Sequence, residues 1–182
     1  TAQRGIRTTT RQATRFGLGW VDFNNDGILD IYEANGRVQQ IGEANSPDPF
    51  AEKNYLLRGE QSGWKMAKGV IKPTGIHTSR AAVFGDIDND GDTDVVLCQS
   101  NRPAVILRNE IGHQGKWLSV KLVGLDKNPE AIGARVRLTA NGITQTREVI
   151  CGASYLAGND LRLLFGIGDA DQIEQLAVRW AD

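Results

Sequence analysis

Apolar and polar residues alternate along this chain in short runs, several of them closed by glycine, and the runs read as β-strands. Near the start, Phe16, Leu18 and Trp20 fall on one side of an extended segment, with Gly17 and Gly19 on the other. Two such glycines would cost a helix about 1 kcal/mol each relative to alanine, so this stretch reads as a strand. The run VVLC, residues 95–98, is continuously apolar and predicts a strand buried on both faces. After IGHQGK (Ile111 to Lys116) five further segments follow: WLSVKLVG, GARVRLTANG, ITQTREVICG, LRLLFGIG and EQLAVRW. In the second of these, Val136 and Leu138 alternate with Arg135, Arg137 and Thr139, the pattern of a sheet with one buried and one wet face. Asn141 and Gly142 form a strong two-residue hairpin signal.

The first part of the chain is a repeat. Shifting Asp22 onto Asp86, an offset of 64, also superposes Asn24 on Asp88, Asp26 on Asp90, Gly27 on Gly91 and Asp30 on Asp94. The flanks agree, with Trp20 on Phe84 and Ile31-Tyr32 on Val95-Val96. Further on, YLLRGE (Tyr55 to Glu60) resembles VILRNE (Val105 to Glu110) at an offset of 50, so the first unit carries about 14 extra residues. QQIGEANSPDPFAE, residues 39–52, accounts for them and reads as a surface insertion. Each unit runs strand, acidic turn, strand, connection, strand, which suits a propeller blade or a solenoid. The fold expected is all-β: two repeated sheet units over residues 1–112, as blades of a propeller or turns of a solenoid, then a small antiparallel β-sandwich or barrel over 113–182.

The two acidic turns carry the chemistry. Calcium takes six to eight oxygens, which alternate positions of a tight turn can supply. In DFNNDGILD the side chains of Asp22, Asn24, Asp26 and Asp30 would converge, with the carbonyl of Ile28. In DIDNDGDTD those of Asp86, Asp88, Asp90 and Asp94 would do so, with the carbonyl of Asp92. Gly27 and Gly91 stand where the chain turns sharply. The expected cofactor is therefore Ca2+ at two sites, the second binding more tightly because it offers four carboxylates against three. Asp, Asn and Gly also favour turns without any metal, but two copies at matching positions argue for more than turn chemistry. The first loop matches the helical EF-hand pattern in full, since Glu33 is twelfth from Asp22, yet strand-like flanks on both sides and Leu97 at the equivalent place in the second copy oppose that reading. Glu33 is expected to be coincidental or an auxiliary ligand.

Charge and composition then narrow the function classes. The formal net charge of -1 becomes +6 once the seven loop carboxylates are set aside, but the arginines are scattered singly and no nucleic-acid partner is expected. No apolar run reaches the roughly 20 residues of a membrane span. Cys98 and Cys151 lack partners at zinc spacing and are expected as buried thiols, with one disulfide as the alternative. Neither His77 nor His113 lies in a nucleophile or metal motif, so no enzyme activity is expected.

The segments GLGWVDFNNDGILDIY and AAVFGDIDNDGDTDVVL, with NYLLRGEQSGW and AVILRNE after them, resemble FG-GAP or VCBS repeats. That resemblance implies calcium-binding blade hairpins of a β-propeller, as in integrin α-subunit heads and many secreted bacterial proteins. The later segments WLSVKLVG, AIGARVRL, TREV, GASYL, LLFGIG and VRWAD resemble the ASPIC/UnbV domain that follows such repeats in cartilage acidic protein and bacterial relatives. FGIG stands where that family usually has FGLG, and WAD where it continues through Pro, Asp and Gly.

Two blades do not close a ring, so the chain is expected to be the C-terminal portion of a longer exported protein, located extracellularly, at the cell surface or in the periplasm. The function expected is a non-catalytic, calcium-stabilised scaffold or recognition and adhesion module with a protein or glycan partner, the 39–52 insertion being the candidate contact surface. A self-associating filament or surface-layer subunit, and the non-catalytic portion of an exported enzyme or biosynthetic protein, are the alternatives.

Overall fold

The computed structural model describes residues 10–40, 46–67, 75–112 and 115–181, which form antiparallel β-sheets and no α-helix. Strands β1 (Arg15–Val21), β2 (Asp30–Asn35), β3 (Tyr55–Glu60) and β4 (Gly63–Met66) make one sheet in the order β1-β2-β3-β4. Strands β5 (Ser79–Gly85), β6 (Asp94–Gln99) and β7 (Val105–Leu107) make a second in the order β5-β6-β7. The repeat read from the sequence is thus a repeat of sheets, with each acidic turn linking the first strand of its sheet to the second.

The two sheets pack through their first strands, and the glycines of β1 make this possible. A Cβ on Gly17 would come within 2.5 Å of the Ala82 nitrogen, and one on Gly19 would overlap the Phe84 ring. Behind that contact lies a shared core of Val21, Phe23, Tyr32, Ala34 and Leu56 from one sheet with Ala82, Phe84, Val95 and Leu97 from the other. Tyr32 and Phe84 meet edge to face at 6.0 Å. On the opposite side of β1, Phe16 and Leu18 are half-buried and Trp20 is 51% exposed, edge to face with Trp64.

The run 95–98 differs from expectation. Val95 and Leu97 are buried, Val96 is half-buried and Cys98 is exposed, because among the described residues the β5-β6-β7 sheet packs on its neighbour by one face. Both cysteines are free and exposed, so neither the buried pair nor a disulfide is found. The insertion is partly tied down. Glu52 N–H donates to the His77 carbonyl at 3.2 Å, its carboxylate accepts the Thr14 amide at 2.8 Å, and Asp48 accepts the Thr78 amide at 2.9 Å. Residues 41–45 of the insertion lie outside the described residues, as does His113.

Strands β8 (Lys116–Val120), β9 (Arg135–Ala140), β10 (Ile143–Glu148), β11 (Leu163–Gly168) and β12 (Ile173–Arg179) correspond to the five later segments. They form two sheets, β10-β9-β12 and β11-β8, closed over Val136, Leu138, Val149, Leu163 and Phe165. Arg135 and Arg137 face solvent between the buried Val136 and Leu138. Asn141 and Gly142 both take positive φ, 49° and 70°, and close the β9–β10 hairpin.

Candidate metal centre

Each acidic turn is wired in the same way. Asp22 Oδ1 accepts the Asp26 amide at 3.1 Å and its Oδ2 the Gly27 amide at 2.8 Å. Asp86 accepts the amides of Asp90 and Gly91 at 3.1 and 3.2 Å. Asp26 Oδ1 then accepts Ile28 N–H at 2.8 Å, and Asp90 Oδ1 accepts Asp92 N–H at 3.0 Å. Gly27 and Gly91 have φ of 88° and 90°, a region where a side chain would be strained. The asparagine two residues earlier, Asn25 or Asn89, is also left-handed, at 55° and 61°.

The last aspartate fastens the loop to the sheet. Asp30 accepts Phe23 N–H at 3.0 Å and Gly59 N–H, on β3, at 2.7 Å. Asp94 accepts Ile87 N–H at 3.0 Å and Asn109 N–H, just beyond β7, at 2.8 Å. The network therefore includes the YLLRGE and VILRNE motifs as well as the turns.

In the second loop Asp86, Asp88 and Asp94 each offer a carboxylate oxygen within 4.8 Å of the others. Among the described residues the first loop shows no such trio of carboxylates; Asn24 stands in the place of Asp88. The Asn24 amide group donates to Asp26 at 2.7 Å, while its Oδ1 is buried without a donor. Burial pushes the carboxyls of Asp22 and Asp30 up to about 6, opposed by their amide donors and reinforced by the neighbouring Asp26. Such buried, mutually repelling oxygens suit a cation.

Two arginines that the sequence reading did not single out reach these loops from corresponding places in the repeated motifs. Arg108 Nε lies 2.7 Å from Asp88 Oδ2 and its Nη2 3.5 Å from Asp90 Oδ2. Arg58 Nη2 lies 3.8 Å from Asp26 Oδ2. An arginine at the same place in YLLRGE and VILRNE was the available signal.

Glu33 is not part of the first loop. It sits on β2, almost fully buried, and its Oε1 accepts from Arg15 Nε at 2.8 Å and Thr10 Oγ1 at 3.2 Å. Asp92, expected to contribute its carbonyl, also turns its side chain toward the other loop: Asn25 Nδ2 donates to Asp92 Oδ1 and to the Gly91 carbonyl, both at 3.1 Å. The two loops are thus in direct contact. Asp22 and Asp86 both line a cleft of about 300 Å³ between the two repeated sheets and the later strands, with Trp20, Phe84, Arg147 and Arg162. His77 lies outside this cleft, its Nδ1 3.8 Å from Asp48.

Residues 124–182 match the family model described as ASPIC and UnbV. The match starts after β8, although β8 pairs with β11 in the same small pair of sheets. No curated protein matches the chain. Among the described residues no helix is long and apolar enough to cross a membrane.

Proposed function

We propose that this chain is a non-catalytic, calcium-stabilised scaffold or recognition module of an exported protein, its two repeated sheets being blades of a β-propeller. The observation that carries this reading is the repetition of one hydrogen-bond network in two loops, ending each time in a bond from the last aspartate to the strand motif that follows. A turn that only needed to reverse the chain would not require four acidic or amide side chains, nor leave the buried Asn24 Oδ1 without a donor.

Asp22, Asn24, Asp26 and Asp30 with the Ile28 carbonyl would hold one ion, and Asp86, Asp88, Asp90 and Asp94 with the Asp92 carbonyl the other. All donors are oxygens, as a hard cation demands. Calcium bound there neutralises the clustered carboxylates and adds its binding energy to folding. The protein's own part is to hold the turn, with amides on Asp22 and Asp86 and the last aspartate pinned to the sheet. Calcium near millimolar outside cells would keep even weak sites filled, which fits an exported location and a rigid display role for a protein or glycan partner.

Calorimetric titration with calcium tests the reading, alongside thermal unfolding in EDTA and in 2 mM calcium (roughly an extracellular level). Two binding events and a clear rise in Tm are expected; at a free concentration 100 times Kd each site adds about 2.7 kcal/mol. Absence of calcium binding at millimolar concentration would overturn it.

A further inference from the structure

The later strands touch both acidic loops, and they do so mostly through loop backbone rather than through the carboxylates that would hold a metal. Gly168 N–H donates to the Asn25 carbonyl at 2.9 Å. Arg162 donates from Nη2 to the Asp86 carbonyl at 2.6 Å and from Nη1 to Asn89 Oδ1 at 2.5 Å. The residues held are informative, because Asn25 and Asn89 are the left-handed asparagines of their loops. Arg162 is itself oriented by Asp160, whose Oδ2 accepts its Nε at 2.7 Å.

Close packing surrounds these bonds. A Cβ on Gly166 would overlap the Asp22 carboxylate and the Asn25 backbone, and one on Gly91 would overlap the Trp117 ring. Just before the second loop, Asp160 N–H donates to the Phe84 carbonyl at 3.0 Å, and Phe84 N–H donates to Asn159 Oδ1 at 3.1 Å. The contact surface is therefore built on the conformation of the loops.

We propose that metal loading of the two loops and docking of the C-terminal sandwich onto the blades are one coupled equilibrium, with Arg162 and the Gly168 amide as positioning groups. The inference rests on the reading of the loops as calcium sites. A left-handed conformation is disfavoured for residues with a side chain, though least so for asparagine. Bonds to Asn25 and Asn89 hold the loops in that conformation, the one in which their oxygens converge. Without a cation the loop carboxylates repel one another, and loosening of the turn removes the acceptors of Gly168 and Arg162. By linkage, whatever factor docking adds to metal affinity, metal adds to docking.

Amide hydrogen exchange on the whole chain, in EDTA and in saturating calcium, tests this together with calcium titration of Arg162→Ala and Arg162→Lys. Calcium is expected to slow exchange of the Gly168 and Asp160 amides about tenfold or more relative to Val149, whose amide bonds to Ala134 within the sandwich. Arg162→Ala is expected to weaken calcium binding at the second loop about fivefold, a typical allosteric coupling, with partial recovery in Arg162→Lys. As a control, Arg135→Ala, which removes an exposed ion pair with Glu148 on the β10-β9-β12 sheet, should leave calcium binding unchanged. The coupling is overturned if calcium binds and protects the Gly27 and Gly91 amides while Gly168 and Asp160 exchange as in EDTA, or if Arg162→Ala binds calcium like the parent. A titration showing no calcium binding is a different result, and defeats the calcium reading and the coupling together.

Discussion

The Asp94 carboxylate accepts the Asn109 amide at 2.8 Å, joining the end of the second acidic loop to the segment that follows its third strand. Its other oxygen takes the Ile87 amide at 3.0 Å, so one buried side chain fixes the start of the loop, its end and the neighbouring strand. Asp94 thus has a structural role with or without metal, whereas Asp88 is exposed.

The two residues should separate cleanly in mutation. Asp94→Ala strands one buried and one part-buried amide and is expected to cost about 2 to 3 kcal/mol even in EDTA. Asp88→Ala should leave stability in EDTA within about 0.5 kcal/mol of the parent, while weakening calcium binding. Urea unfolding with and without calcium checks both; equal losses in EDTA would contradict the division of roles.

In the proposed calcium site, Arg108 would compete with the cation for Asp88 and Asp90. Its guanidinium lies 2.7 Å from one and 3.5 Å from the other, while Arg58 stands 3.8 Å from Asp26. Exposed ion pairs of this sort are weak and screened by solvent. Arg108→Gln is therefore expected to raise calcium affinity of the second loop by up to about fivefold, and Arg58→Gln to change the first loop less. The affinity order expected from carboxylate count, second loop above first, should accordingly be clearest in the Arg108→Gln chain. Calorimetry on the two variants decides it.

Acidity acts in opposite directions with and without metal. Burial raises the Asp22 and Asp30 carboxyls from 3.8 to about 6 in the folded chain. The stability linked to these raised values is fully present below the unfolded value and lost as pH rises through about 6. In EDTA the cost of Asp22→Asn should therefore shrink between about pH 4.5 and 7.5. In calcium it should grow over the same interval, because the ion needs the ionised carboxylate. Melting curves at both pH values are the measurement, and parallel behaviour in the two buffers would contradict the assignment.

The packing of the two repeated sheets depends on what β1 lacks. Gly19→Ala would drive a methyl group into the Phe84 ring and is expected to cost about 1 to 3 kcal/mol. Phe84→Leu in the same chain should recover part of that loss, a coupling that a double-mutant cycle would read.

Much of the fold was legible in local pattern. Period-two alternation marked β9, Asn141-Gly142 marked its hairpin, and the offset of 64 paired the two loops. Strand pleat and positive φ are properties of a few neighbouring residues, so a few neighbouring residues reveal them. The site was legible to the same extent: the spacing of Asp22 to Asp30 and of Asp86 to Asp94 is local, and so are the amide bonds within each turn.

What surrounds the loops was decided by tertiary structure. Glu33 has the right spacing for a ligand, yet its carboxylate lies with Arg15 across the β1–β2 pair. Cys98 ends an apolar run, yet it is exposed because its sheet packs by one face. Asn25 finds Asp92 at a separation of 67 residues, and Arg162 finds Asp86 at 76. Sheet order and the approach of whole layers bring such partners together, and no spacing along the chain records them. The sequence by itself determined that two acidic turns exist and repeat; the tertiary structure decided that they face each other, meet an arginine each and carry the C-terminal sandwich on their backbones.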